Sequence, residues 1–116
     1  ATSLPEPQRG DVWMLNFDPT VGHEQGGTRP AVVVSDDTFN LGPAGLVIVL
    51  PVTSRSKRIR THVEVVPPEG GLTLTSYIKC EDIRSVSKQR LVDRLGSVSP
   101  LTLAEAEDRL RILIGL

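Results

Sequence analysis

Cysteine is nearly missing from this chain of 116 residues: Cys80 stands alone. A single thiol excludes a disulfide framework and a thiolate metal cluster. Aromatic residues are almost as scarce, Trp13, Phe17, Phe39 and Tyr77 being the full set. That argues against a sheet that binds nucleic acid by stacking bases on several exposed rings. Charge of one sign is lacking too. Thirteen basic against fourteen acidic residues leave a net charge of −1, so any electrostatic function has to rest on local clustering. No apolar run approaches the ~20 residues that a membrane-spanning helix needs. The first residues, ATSLPEPQ, carry neither the charged nor the apolar region of a signal peptide. The expectation is a soluble, cytoplasmic protein with a loose N-terminal tail over residues 1–8 and one domain over 9–116. That length carries one modest core.

What the chain does have is a run of short strand signals. Asp11 to Phe17 alternates, with Val12, Met14 and Asn16 on one face and Trp13, Leu15 and Phe17 on the other. Both faces hold apolar groups, which predicts a strand covered on both sides. Ala31 to Ser35 and Leu46 to Val52 are β-branched or apolar runs and read as buried strands. Pro51 marks a strand end, a bulge or an edge, because it cannot donate to a ladder. His62 to Val66, Leu72 to Cys80 and Ile83 to Val86 read as further strands, with Ser87 capping a single turn before an inward Leu91. Asp36, Asp37 and Thr38 suit the cap of a short helical turn better than a metal site, since no third ligand lies near them in sequence. Ser99 followed by Pro100 starts a C-terminal helix whose stripe is Leu103, Ala106, Leu110 and Leu113, with a Glu107–Arg111 pair on another face. The sum is a mainly β chain of five to seven short strands with a C-terminal helix, a small barrel or strongly curled sheet (α+β). The apolar faces of the first strand and the helix suit a homodimer.

Two stretches concentrate chemistry. Asn16 to Pro30 (NFDPTVGHEQGGTRP) is longer than the two to five residues common in hairpin loops. It sets His23, Glu24, Gln25 and Arg29 among Gly22, Gly26 and Gly27, polar groups on a backbone free to approach a ligand. The second follows Pro51. Thr53 and Ser54 lead into Arg55, Lys57, Arg58 and Arg60, and no acidic residue occurs from Thr38 through Val63. Beside the end of a central strand, this dense positive patch suits contacts to phosphates.

Taken in order, three segments resemble one family. They are Arg9-Gly10-Asp11-Val12-Trp13 through Phe17-Asp18-Pro19-Thr20 and Gly22-His23-Glu24-Gln25-Gly26-Gly27 to Arg29-Pro30-Ala31-Val32-Val33, then Pro51-Val52-Thr53-Ser54 with Thr61-His62-Val63-Glu64, and Asp82-Ile83-Arg84-Ser85-Val86 with Lys88-Gln89-Arg90-Leu91. The chain resembles the MazF/PemK toxin endoribonucleases of type II toxin–antitoxin modules from Arg9 to Leu116.

The resemblance implies an SH3-like barrel working as a homodimer that cleaves single-stranded RNA, mainly mRNA, without a metal or cofactor. A MazE-like antitoxin would hold it inactive, and no membrane would be involved. Arg29 and Thr53 fall on the family's catalytic arginine and threonine, and Glu24 on a glutamate implicated in some members. The base that takes the 2′-OH proton stays open between Glu24, His23 and His62. The residues expected to touch RNA are His23, Gln25, Thr28, Ser54, Arg55, Lys57, Arg58, Arg60, His62, Asp82 and Arg84. Asp82 replaces an amide common among relatives, and a carboxylate accepts only donors, such as the amino group of cytosine. Two other functions compete: a non-catalytic RNA-binding module, and a gyrase poison of the same fold. The latter uses a tryptophan near the C-terminus, where this chain ends Leu113-Ile114-Gly115-Leu116.

Overall fold

A computed structural model describes residues 6–18 and 27–116. Strand β1 (Asp11–Asn16) pairs antiparallel with β2 (Thr28–Val33), and β2 with β3 (Leu46–Thr53), a short helix α1 (Asp37–Asn40) bridging the latter two. Helix α1 is capped as its sequence suggests, Asp36 accepting from the Thr38 amide at 2.9 Å. The rest of the chain is β4 (His62–Val65), β5 (Ser76–Lys79), β6 (Arg84–Ser87), β7 (Leu91–Ser97) and helix α2 (Pro100–Ile114). All seven strands belong to one curled antiparallel sheet.

The curl follows from the two-sided alternation of the first strands. Odd positions of β1, β2 and β3 (Trp13, Leu15, Ala31, Val33, Val47, Val49) join Phe17, Val86 and Leu91 in one core. Strand β7 closes on β1 and β6 on β3, and the turn Lys88–Arg90 links β6 to β7, so this core fills a five-stranded barrel. Even positions (Val12, Val32, Leu50, Val52) face the opposite way into a second core. There β4, β5 and α2 cover them with Val63, Val65, Ile78, Ala106 and the partly buried Leu103 and Leu110. The apolar groups on both faces of β1 are thus covered within one chain.

Strand β3 is the hinge of this arrangement. Leu46 to Val49 pair with β6, whereas Val52 and Thr53 pair with β5. Pro51 sits in the interval between those partners, where its missing N–H costs no ladder bond on that side.

Several expectations shift. The strand expected over Leu72–Cys80 is confined to Ser76–Lys79; Glu69–Gly71 forms a tight turn instead, and Leu72–Thr75 is irregular. Strand β7 carried no alternation to reveal it, since most of its residues are exposed along an edge. Glu107 reaches Arg9 at 2.9 Å rather than Arg111, which pairs with Asp108 at 2.9 Å. Of the tail, residues 6–8 are tied to the barrel: Glu6 pairs with Lys88 at 2.7 Å and the Gln8 amide donates to Asp11 at 2.9 Å. The start of α2 is as read, with Ser99 accepting from the Thr102 amide at 3.2 Å. No helix among the described residues is long and apolar enough to cross a membrane.

Cys80 lies beneath α2, fully buried. Burial, then the neighbouring Glu81 charge, push its thiol up to about 11, with Arg109 pulling the other way. The folded thiol keeps its proton to higher pH than the unfolded one. Its contribution to stability is therefore intact below about 9 and is lost as pH climbs through about 11. At pH 8 a thiol reagent should leave the native protein unlabelled and titrate one thiol after unfolding in guanidinium. Labelling of the native protein at the unfolded rate would contradict this burial.

Candidate active site

The neck of the long loop is held by polar contacts. The Phe17 amide donates to the Gly27 carbonyl at 2.9 Å, and the Gly27 amide to Asp18 Oδ1 at 3.0 Å. Arg90 donates to the Asn16 carbonyl at 3.1 Å and also to that of Asp18. Strand β2 therefore starts from a fixed point at Thr28. His23, Glu24 and Gln25 lie outside the described residues.

The β2–β3 register pairs Ala31 with Pro51. Counting two residues outward on each strand leads to Arg29 and Thr53, on the same face because strand side chains alternate. Both line one groove of about 170 Å³, together with Ser54 and the segment Leu72–Leu74. Thr53 is half-buried, and its Oγ1 accepts from the Arg55 amide at 3.2 Å. With that lone pair engaged, the hydroxyl proton is directed elsewhere and can be donated to a ligand. Arg29 is exposed and lines the same groove, and its guanidinium is the group type that spans two phosphate oxygens.

The basic residues Arg55, Lys57, Arg58 and Arg60 are all exposed on the β3–β4 connection that leads away from Thr53 and Ser54. Arg58 adopts a positive φ of 50° there. The Arg60 carbonyl accepts from Arg109 Nε at 3.3 Å, which ties the far end of this connection to α2.

His62 departs from expectation. Its side chain is only 4 % exposed, its Nε2 lies 2.9 Å from Glu81 Oε2, and its Nδ1 is buried without a hydrogen-bond partner. The ring is thus turned inward and paired with a carboxylate rather than presented to solvent. Burial works against a charged Glu81. Hydrogen bonds from Thr61 and His62, one from the backbone, and the His62 charge outweigh it and hold the carboxyl below its ordinary range.

Asp82 and Arg84 are not brought into the Arg29–Thr53 groove. They line a separate hollow of about 450 Å³ with Phe17, Ser87 and Arg90. Asp82 is engaged by Arg84 at 2.8 Å and Lys79 at 3.5 Å, and the Arg84 guanidinium lies 5.1 Å from the Phe17 ring centroid. A carboxylate held by two cations is a poorer reader of an amino group than the sequence suggested. Thr28 is exposed at the start of β2. The wall from Leu72 to Ser76 went unnoticed in the sequence. Within the stretch read as a strand, Leu72 is buried whereas Leu74 is 63 % exposed.

Comparison with known proteins gives the family. The family described as PemK-like, MazF-like toxin of type II toxin-antitoxin system matches residues 8–114. Endoribonuclease EndoA of Bacillus subtilis is 33 % identical over 110 residues, 94 % of this chain and 95 % of that protein. The crystal structure of MazF from Deinococcus radiodurans superimposes with a TM-score of 0.86 at 34 % identity, covering 97 % of this chain and 99 % of that one. A MazE-MazF structure from the same organism gives a TM-score of 0.79 at 35 % identity, covering 97 % and 98 %. With nearly its whole length matched by the family and by a relative one third identical, the chain belongs to the PemK-like, MazF-like toxins of type II toxin–antitoxin systems.

Proposed function

We propose that this toxin is an endoribonuclease that cuts single-stranded RNA, mRNA in the cell, at short sequences, using the RNA's own 2′-OH as nucleophile. The observation that carries this reading is the shared groove of Arg29 and Thr53, a guanidinium beside a hydroxyl whose acceptor site is already occupied. In the reaction the 2′ oxygen attacks the adjacent phosphorus and the 5′ oxygen leaves, giving a 2′,3′-cyclic phosphate or 3′-phosphate and a 5′-OH. Arg29 neutralises charge growing on the phosphoryl oxygens, electrostatic stabilisation being the role suited to a group with a pKa above about 12. Thr53 donates to a phosphoryl oxygen and fixes the phosphate for in-line attack. Glu24 takes the 2′-OH proton. Arg55, Lys57, Arg58 and Arg60 follow the RNA backbone away from the cut.

The partners are a MazE-like antitoxin, as in the MazE-MazF structures, and a second copy of the chain. Both faces of β1 being covered, the second copy docks on the apolar residues that α2 leaves exposed, Leu101 and Ile112 among them. The site of action is the cytoplasm, where mRNA is translated.

The decisive test incubates the protein with a long single-stranded RNA in EDTA and maps the ends. Cuts at one short motif with cyclic or 3′-phosphate ends are expected. RNA that is bound but left whole would end the enzymatic reading and favour a binding module.

A further inference from the structure

The groove that holds Arg29 and Thr53 is about 170 Å³, below the ~300–1,000 Å³ of sites that enclose whole ligands. It takes a phosphate and the edge of its sugar, and leaves the attached base at the rim. Leu74 stands at that rim. It lines the groove and is 63 % exposed, whereas Val52 and Leu72 beside it are buried. Its neighbours Thr73 and Thr75 are exposed hydroxyl residues. Among the described residues, no aromatic side chain lines the groove.

The segment carrying Leu74 is fixed at both ends. Gly70 and Gly71 both have φ of 69° and lie hard against β7. A Cβ on Gly71 would fall 2.0 Å from the Leu95 carbonyl oxygen. Glu69 accepts from the Ser99 amide at 3.0 Å, which ties the same turn to the start of α2. At the other end the buried Ser76 hydroxyl donates to the Leu74 carbonyl at 2.8 Å. A large apolar side chain is thus presented to water from an anchored backbone beside Arg29 and Thr53 in the groove.

We propose that Leu74 is the base-packing residue of this enzyme, an aliphatic platform for the nucleobase next to the scissile phosphate. The assignment rests on the ribonuclease reading above. An aliphatic face receives the flat apolar surface of any base and reads none of its edges. Leu74 accordingly contributes affinity and placement, and sequence selection falls to polar groups elsewhere.

The test is cleavage kinetics of wild type, Leu74→Ala and Leu74→Trp on a short RNA spanning the cut. Matched RNAs carry an abasic nucleotide on one side of the cut or the other. Covering an exposed leucine with a base removes enough apolar surface from water to move affinity about tenfold, so Leu74→Ala is expected to raise KM by roughly tenfold with kcat within about twofold. Leu74→Trp should keep or lower KM. One abasic substitution should weaken wild type and leave Leu74→Ala nearly indifferent, a coupling that a merely structural role would not produce. Thermal melting should be unchanged in both variants, given the exposure of the side chain.

Equal KM values in wild type and Leu74→Ala, or an abasic penalty of the same size in both, would overturn the assignment while leaving the ribonuclease intact. A wild type that cuts no RNA would remove the ribonuclease reading, and Leu74's role with it.

Discussion

Arg29→Ala should slow RNA cleavage by about 10²–10³-fold, the usual loss when one donor aimed at developing charge is removed. The loss should appear in kcat, because the basic run from Arg55 to Arg60 still holds the backbone of the substrate. Arg29→Lys should recover little, since an ammonium cannot span two phosphoryl oxygens as a guanidinium does. Thr53→Ala removes the hydroxyl that sits with Arg29 in the groove and should fall in the same range, whereas Thr53→Ser, which keeps the donor, should retain most activity. The double variant is the informative one. Two groups acting on one phosphate do not lose activity additively, so it should be little worse than either single change. Single-turnover cleavage in EDTA reads all of this. An Arg29→Ala variant cutting at the wild-type rate would place the chemistry outside this groove.

The largest stability effect is expected at Trp13. The indole is 1 % exposed inside the barrel and donates its Nε1–H to Asp11 at 3.2 Å. Asp11, itself buried, also accepts from the Gln8 amide at 2.9 Å and pairs with Arg94 at 3.2 Å. Trp13 therefore fills the core and joins the N-terminal segment, β1 and β7 at one carboxylate. Trp13→Ala leaves a cavity among β-branched neighbours that cannot collapse into it, and should cost about 3–5 kcal/mol. For a domain this small that is a large share of the ~5–15 kcal/mol that holds a native state. Trp13→Phe should cost distinctly less. Urea unfolding followed by far-ultraviolet circular dichroism checks both, because the fluorescent reporter is lost with the residue. A loss under about 1 kcal/mol for the alanine variant would mean that the barrel is not built around this side chain.

Much was settled by the order of residues alone. Alternation with apolar groups on both faces of β1, β2 and β3 dictates a sheet covered twice, and the structure covers it twice. Ser99 and Pro100 set the start of α2, and Asp36 that of α1, because caps are local hydrogen bonds. Arg29-Pro30 and Thr53-Ser54 stood out through the company they keep in the chain. The tertiary structure alone decided what depends on strand pairing and edges. The antiparallel register of β2 and β3 carries Arg29 and Thr53, distant in sequence, into one groove. Strand β7 buries Leu91 but leaves most of its residues exposed, so no alternation marked it. His62 was one of three candidates for the base, and only the fold shows that its ring is turned inward onto Glu81. Nothing in the sequence singled out Leu74; two glycines pressed against β7 and a serine hydroxyl bonded to its carbonyl fix the backbone that exposes it at the groove. Periodicity reports which faces need covering; only the packed chain decides what covers them, and so which side chains are left facing a substrate.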